Sequence, residues 1–69
     1  MYLVFEIQTN GDVITTLTYQ YNDINIAEQK YYYILAAAAV SNLDVHAAVI
    51  MDCTGTVLKN SVYDRRNKV

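Results

Sequence analysis

Residues 23–41 read DINIAEQKYYYILAAAAVS, and the fold turns on how they are read. Asp23 is a good N-cap, Asn25 with Glu28 fits a capping box, and no Pro or Gly interrupts the run before Ser41-Asn42 ends it. A helix reaching about Val40 is predicted. At 100° per residue Ile24, Ala27, Tyr31, Ile34, Leu35 and Ala38 form one apolar stripe, which should pack on a sheet. The opposite side carries Ile26, Tyr33, Ala36, Ala37 and Val40, where a helix lying on one open sheet should carry charge. Within the helix Glu28 and Lys30 supply the charge, both in its first third. A helix apolar all round is normally buried all round. Four consecutive Ala also let another backbone approach closely, although Ala is the strongest helix former and so has a local reason to be there. The surplus predicts self-association through Ile26, Tyr33, Ala36, Ala37 and Val40, with a two-fold dimer as the simplest closed form.

On either side of this helix the period changes from 3.6 to 2. Residues 2–8 alternate, with Leu3, Phe5 and Ile7 on one face and Tyr2, Val4, Glu6 and Gln8 on the other. Asn10-Gly11 marks a turn, and residues 13–21 are rich in Thr, Ile, Val and Tyr, as strands are. A three-residue loop, Thr9-Asn10-Gly11, would pair Ile7 with Val13 and Leu3 with Leu17, joining two apolar sets under the helix. A two-residue turn would put those sets on opposite faces, so the bulged loop is expected. Residues 45–53 form a third strand with Val45, Ala47, Val49 and Met51 inward, which leaves His46, Ala48, Ile50 and Asp52 outward. Thr54-Gly55 is a second turn before a fourth strand, residues 56–63. Here two registers stand open. A two-residue turn pairs Met51 with Leu58 and His46 with Tyr63; a bulged loop pairs Met51 with Val57 and His46 with Val62. Gly11-Asp12-Val13-Ile14 and Tyr19 match Gly55-Thr56-Val57-Leu58 and Tyr63 at one constant offset, a weak sign of a repeat that similar turns alone can produce. The expected architecture is α+β: ββαββ, a four-stranded antiparallel sheet in order 2-1-3-4 with one helix on one face, as a single domain over residues 1–64 with a basic tail at 65–69.

The whole chain has 69 residues, of which 54% are hydrophobic, so it is not of disordered type. A domain this small buries only about 60% of the surface of its unfolded chain and normally leans on disulfides, a metal or a partner. One Cys (Cys53) and one His (His46) cannot make a disulfide within the chain or a structural zinc site, so no metal or cofactor is expected. Partners are the remaining help. A net charge of -2 argues against a nucleic-acid polymer. The longest uncharged stretch, residues 31–43, is too short to span a bilayer, and the start of the chain has no basic flank of the signal-peptide kind. A lone Cys suits a reducing cytoplasm.

Chemistry-bearing residues are few. No Ser-His-Asp spacing or phosphate-binding Gly loop is present, and no catalytic residue is assigned, so the chain is not expected to be an enzyme. Cys53 reads as a small inert thiol, and His46 as a hydrogen-bonded strand histidine or a ligand contact. Tyr31, Tyr32 and Tyr33 fan over about 200° of the helix, with Tyr31 toward the sheet, Tyr32 on the flank and Tyr33 opposite. Tyrosine suits interfaces and also stacks on nucleobases. Arg65, Arg66 and Lys68 crowd the last positions, as a solvated tail or as an arm over an anion. The candidate ligand-binding set is therefore Lys30, Tyr32, Tyr33, His46, Lys59, Arg65 and Arg66.

Ala27-Glu28-Gln29-Lys30-Tyr31, the run from Leu35 to Ser41, and Val45-His46-Ala47-Ala48-Val49-Ile50, with the opening Glu6-Ile7-Gln8-Thr9, resemble a group of small phage and prophage proteins of Gram-positive gut bacteria. The likeness covers most of the chain. The group carries no site residues to this sequence, and its members often have His where Tyr32 stands. The resemblance implies a viral protein in a host bacterial cytoplasm. Small phage proteins of this kind are virion parts, inhibitors of host proteins, or counter-defence sponges that sequester nucleotide immune signals. One expectation is thus a homodimeric, immune-evasion protein binding a cyclic or ADP-ribose-type nucleotide, with Tyr on the bases and Lys or Arg on the phosphates. The alternative is a structural or inhibitory protein that binds a host or virion protein through its apolar helix or sheet face.

Overall fold

The computed structural model describes residues 1–66. The elements run β1 (Tyr2–Asn10), β2 (Val13–Tyr21), α1 (Ile24–Ala39), β3 (Val45–Asp52) and β4 (Val57–Asp64). All strand pairs are antiparallel, and the order is β2-β1-β3-β4 with the helix on one face. This is the ββαββ, α+β architecture read from the sequence. Lys68 lies outside the described residues.

The helix starts where its cap places it. Asp23 has extended backbone, and its carboxylate accepts the Asn25 N–H at 2.8 Å. The Asn25–Glu28 box is not used, because Asp23 is the N-cap and Asn25 lies within the first turn; the Glu28 carboxylate pairs with Lys59 Nζ at 2.9 Å. At the other end the N–H groups of Val40 and Ser41 reach back to the carbonyls of Ala37 and Ala38. The last turn has no basic residue of its own. Arg65, just beyond β4, supplies one: its Nη2 donates to Ala38 O at 2.8 Å and lies 3.4 Å from Ala39 O. A cation at the negative end of the helix dipole, bonded to carbonyls that lack helical donors, is favourable twice over. Arg65→Ala should therefore lower stability by ~1–2 kcal/mol in urea unfolding, and Arg65→Lys, which keeps charge without the planar fork, should recover only part of it.

The first hairpin departs from the expected loop. Asn10 pairs with Val13, which leaves a two-residue turn, Gly11-Asp12. Gly11 has φ +61° while Asp12 does not have positive φ, the pattern of a type II′ turn with Gly first. That one residue of loop length turns β1 over relative to β2. Val4 now pairs with Tyr19 and Tyr2 with Tyr21, while β3 follows β1 in register, Ile50 opposite Val4. The expected faces of β1 and β3 are thus exchanged. Tyr2, Val4, Glu6, Gln8, His46, Ala48 and Ile50 lie under the helix; Leu3, Phe5, Ile7, Val45, Ala47, Val49 and Met51 form the uncovered side. His46, expected to face away from the helix, faces it.

The reason lies in size. Ala27 and Ala48 are both fully buried, which brings helix and sheet backbones close, and Val4, Ile34, Ile50 and Tyr31 fill the space around them. The Tyr31 hydroxyl is satisfied by Ser61 Oγ at 2.8 Å. The helix stripe is as predicted: Ala27, Tyr31, Ile34 and Ala38 are buried, with Ile24 and Leu35 packed at its margin.

In the second hairpin each open register holds on one side of a bulge. Asp52 N–H bonds Thr56 O, closing the loop Cys53-Thr54-Gly55 with Gly55 at φ +89°, and Met51 pairs with Val57. The Asp52 carboxylate accepts from the Thr54 hydroxyl and from the N–H groups of Thr54 and Thr56, which hold its carboxyl below the usual range. Leu58 is then extra, so that Ile50 pairs with Lys59 and His46 with Tyr63.

Candidate functional site

Strand parity gathers Glu6, Gln8 and His46 beneath the helix. His46 Nε2 donates to Glu6 Oε2 at 2.6 Å, and Gln8 Nε2 donates to the same oxygen at 2.9 Å. The two charged-type side chains are 6% and 13% exposed, so the pair is largely out of water. Burial pushes the Glu6 carboxyl up, but the Gln8 and His46 bonds and the nearby His46 and Lys30 charges outweigh it and hold the carboxyl below its ordinary 4.5. His46 Nδ1 is buried with no partner among the described residues. Nucleophile candidates stand elsewhere: Ser61 Oγ is bonded to Tyr31, and Cys53 is exposed in the loop at the other end of β3. The arrangement ties β1 to β3 rather than presenting a reactive group. A depressed carboxyl stabilises the fold above its unfolded pKa and loses that contribution as pH falls through its folded one. The melting temperature should therefore fall as pH drops below 4.5, and Glu6→Gln should flatten that part of the profile.

The seven candidate ligand residues are dispersed. Lys30 lies over the Tyr19 ring at 4.1 Å and the Tyr33 ring at 5.3 Å, on the flank of the helix toward β2. Tyr32 lies on the flank toward β4, where Lys59 Nζ donates to its hydroxyl at 2.8 Å and also pairs with Glu28. Those two acceptors raise the Lys59 pKa, Tyr32 first. His46 is beneath the helix, Arg65 is at its C-terminus, and Arg66 forks onto Asp64 at 3.0 and 2.8 Å. Lys30 and Tyr33 share an open hollow of about 260 Å³, lined also by Tyr21, Ile26 and Gln29. Ligand pockets typically run to ~300–1,000 Å³ and are enclosed. Sequence reasoning missed Glu6 and Tyr19, the partners of His46 and Lys30. Glu6 follows from pairing β1 and β2 through Gly11-Asp12, whereas Tyr19 stands on the expected inner face of β2 and only its contact with Lys30 is new.

Two apolar surfaces remain. On the outer side of the helix Ile26, Tyr33, Ala36, Ala37 and Val40 are all exposed, Tyr33 at 70% and Val40 at 84%. The second is the uncovered face of the sheet. Along β1 and β3 seven of its eight positions are apolar, with Thr9 the exception, whereas the face under the helix carries Glu6, Gln8, His46 and Asp52. The helix thus covers the more polar side. A hollow of about 290 Å³ lined by Ile7, Ala47, Val49, Asn60, Ser61 and Val62 lies on the open side. Among the described residues its charged member is Asp64, at a corner and bridged to Arg66.

Fold and surfaces together define a two-layer α+β protein whose helix leaves the more apolar face of the sheet uncovered. Comparison of the chain with protein-family models, curated proteins and solved structures finds no match. Among the described residues no helix is long and apolar enough to cross a membrane.

Proposed function

We propose that this chain is a non-enzymatic phage protein that binds another protein, of the virion or of the bacterial host, through the open face of its sheet in the host cytoplasm. The observation that carries this reading is the inverted polarity of the sheet: Leu3, Phe5, Ile7, Val49 and Met51 face outward while Glu6 and His46 are enclosed. Four strands of eight or nine residues cover about 500 Å² in plan at ~4.8 Å between strands and ~3.3 Å per residue. The apolar positions lie at the centre of this face on β1 and β3, while Thr16, Thr18 and Gln20 of β2 and Asn60 and Asp64 of β4 lie toward its margins, the apolar centre and polar rim of a protein interface. Soluble monomers rarely expose apolar patches beyond a few hundred Å².

A second reading, sequestration of a cyclic or ADP-ribose-type nucleotide, draws on the corner where Lys30 meets Tyr33 and Gln29. The cations it would need beyond Lys30 are engaged elsewhere, Lys59 by Glu28 and Arg66 by Asp64. Affinity capture from producing cells with wild type and a Val49→Lys variant, beside calorimetric titration of a nucleotide panel, separates the two. A protein retained by wild type and lost with Val49→Lys is expected. Saturable heat from a nucleotide, unchanged by Val49→Lys, would replace the first reading with the second.

A further inference from the structure

The two edges of the sheet are treated differently. β4 carries a bulge at Leu58, Lys59 on one face and Asp64 on the other. Bulges and charges are what blunt an edge against strand addition. β2 has none of these. Val13–Tyr21 contains no charge and no proline, pairs with β1 without a shift, and is exposed over residues 13–18.

Its outward hydrogen-bonding groups can be assigned. Arg65 N–H bonds Asp44 O and Asp52 N–H bonds Thr56 O, so the even residues of β3 bond toward β4. Alternation across antiparallel pairs then turns the odd residues of β3 to β1, the even residues of β1 to β2, and the odd residues of β2 back to β1. Ile14, Thr16, Thr18 and Gln20 are left with N–H and C=O directed away from the sheet.

We propose that β2 pairs antiparallel with β2 of a second copy about a two-fold axis at Leu17, joining two sheets into one of eight strands. In this register Ile14 exchanges bonds with Gln20 of the other copy and Thr16 with Thr18, about eight N–H···O bonds in all. It uses the full length of Val13–Tyr21, whereas registers centred on Thr16 or Thr18 leave residues unpaired. Leu17, 39% exposed in the single chain, meets its own copy in the wide pair, where Cα atoms are about 4.5 Å apart. Neutral side chains face neutral ones throughout. The axis is perpendicular to the sheet, so both helices lie on one side and both open faces join on the other. The inference rests on the β2 backbone and not on the partner proposed for the open face, and variants of the edge and of the face keep the two apart.

Sedimentation at micromolar concentration should show wild type at twice 7.8 kDa. Thr16→Pro removes an outward N–H only, a position where an edge strand tolerates proline, and should sediment as monomer with unchanged circular dichroism. In a Cys53→Ser background, Leu17→Cys should oxidise to a covalent dimer, since the wide pair lies within disulfide reach, and Val13→Cys should not. Val49→Lys should leave the dimer intact. Monomeric wild type, a dimer that persists in Thr16→Pro, or Leu17→Cys that does not cross-link would overturn the proposal. So would a dimer lost in Ala37→Glu and kept in Thr16→Pro, which would place the contact on the helix. Should Thr16→Pro fail to fold, the Leu17→Cys and Val13→Cys pair decides alone.

Discussion

Ile50→Ala is expected to cost ~2–5 kcal/mol of folding stability, the range for truncating a fully buried aliphatic side chain. Ile50 is 0% exposed, sits in β3 opposite Val4, and belongs to the cluster with Ala27, Tyr31 and Ile34. The neighbours are poorly placed to close the gap, because Ala27 and Ala48 already hold helix and sheet in close approach. Native domains have ~0.05–0.15 kcal/mol per residue, so a chain of this length has only about 3–10 kcal/mol to lose. A melting-temperature drop of at least ~8 °C follows, and the variant will be partly unfolded at body temperature if the wild type lies at the low end. The informative control is the adjacent residue. Val49→Ala, on the uncovered face, should cost about 1 kcal/mol or less in dilute solution. If Val49→Ala cost more than Ile50→Ala, the helix would be on the other side of the sheet.

Phe5→Lys should have the opposite profile. Phe5 stands at the middle of β1 on the open face, opposite Val49, and is only partly buried. Lysine can lay its methylene stem on the strand and keep its ammonium in water, so the folded chain should lose little stability. In the proposed complex that ammonium would be desolvated without a counter-charge, which should weaken partner binding at least ~100-fold. Quantitative capture of the partner by wild type and Phe5→Lys at matched concentration, with urea unfolding of both, checks the two halves. Equal capture by both proteins would remove the open face from the binding reaction.

The two predictions test opposite sides of one sheet, and the sequence distinguishes those sides poorly. Element types, order and helix stripe were legible, because Asp23 caps the helix and Ile24, Ala27, Tyr31, Ile34 and Ala38 repeat with helical period. The face assignment was not. Both sides of β1 are apolar enough to be inward, and the choice was referred to a loop whose length differs by one residue between Asn10-Gly11 read with Thr9 and Gly11-Asp12 read alone. Since side chains alternate, that single residue moved every side chain of β1, and through the β1–β3 register every side chain of β3, to the other face. A type II′ reading of Gly11-Asp12 contains the answer, but it puts Glu6 and His46 together under the helix, which local polarity argues against. Their mutual bond removes that objection, and strand pairing was the one way to see it. The second hairpin was hard for another reason: a bulge at Leu58 lets each of two registers be right over part of the strand.

Arg65 bears on how this fold is assembled during synthesis. The β1–β2 hairpin and the helix are made first, yet the negative end of the helix has no cation until residue 65 has been added, and β1 has one neighbour until β3 arrives. For that interval the strand carrying Leu3, Phe5 and Ile7 offers a free edge as well as two open faces to whatever lies near the ribosome. A chain cut short at residue 64 would keep all of β4 and forgo the Arg65 bonds to Ala38 and Asp44, so the helix end and the start of β3 would be held less firmly.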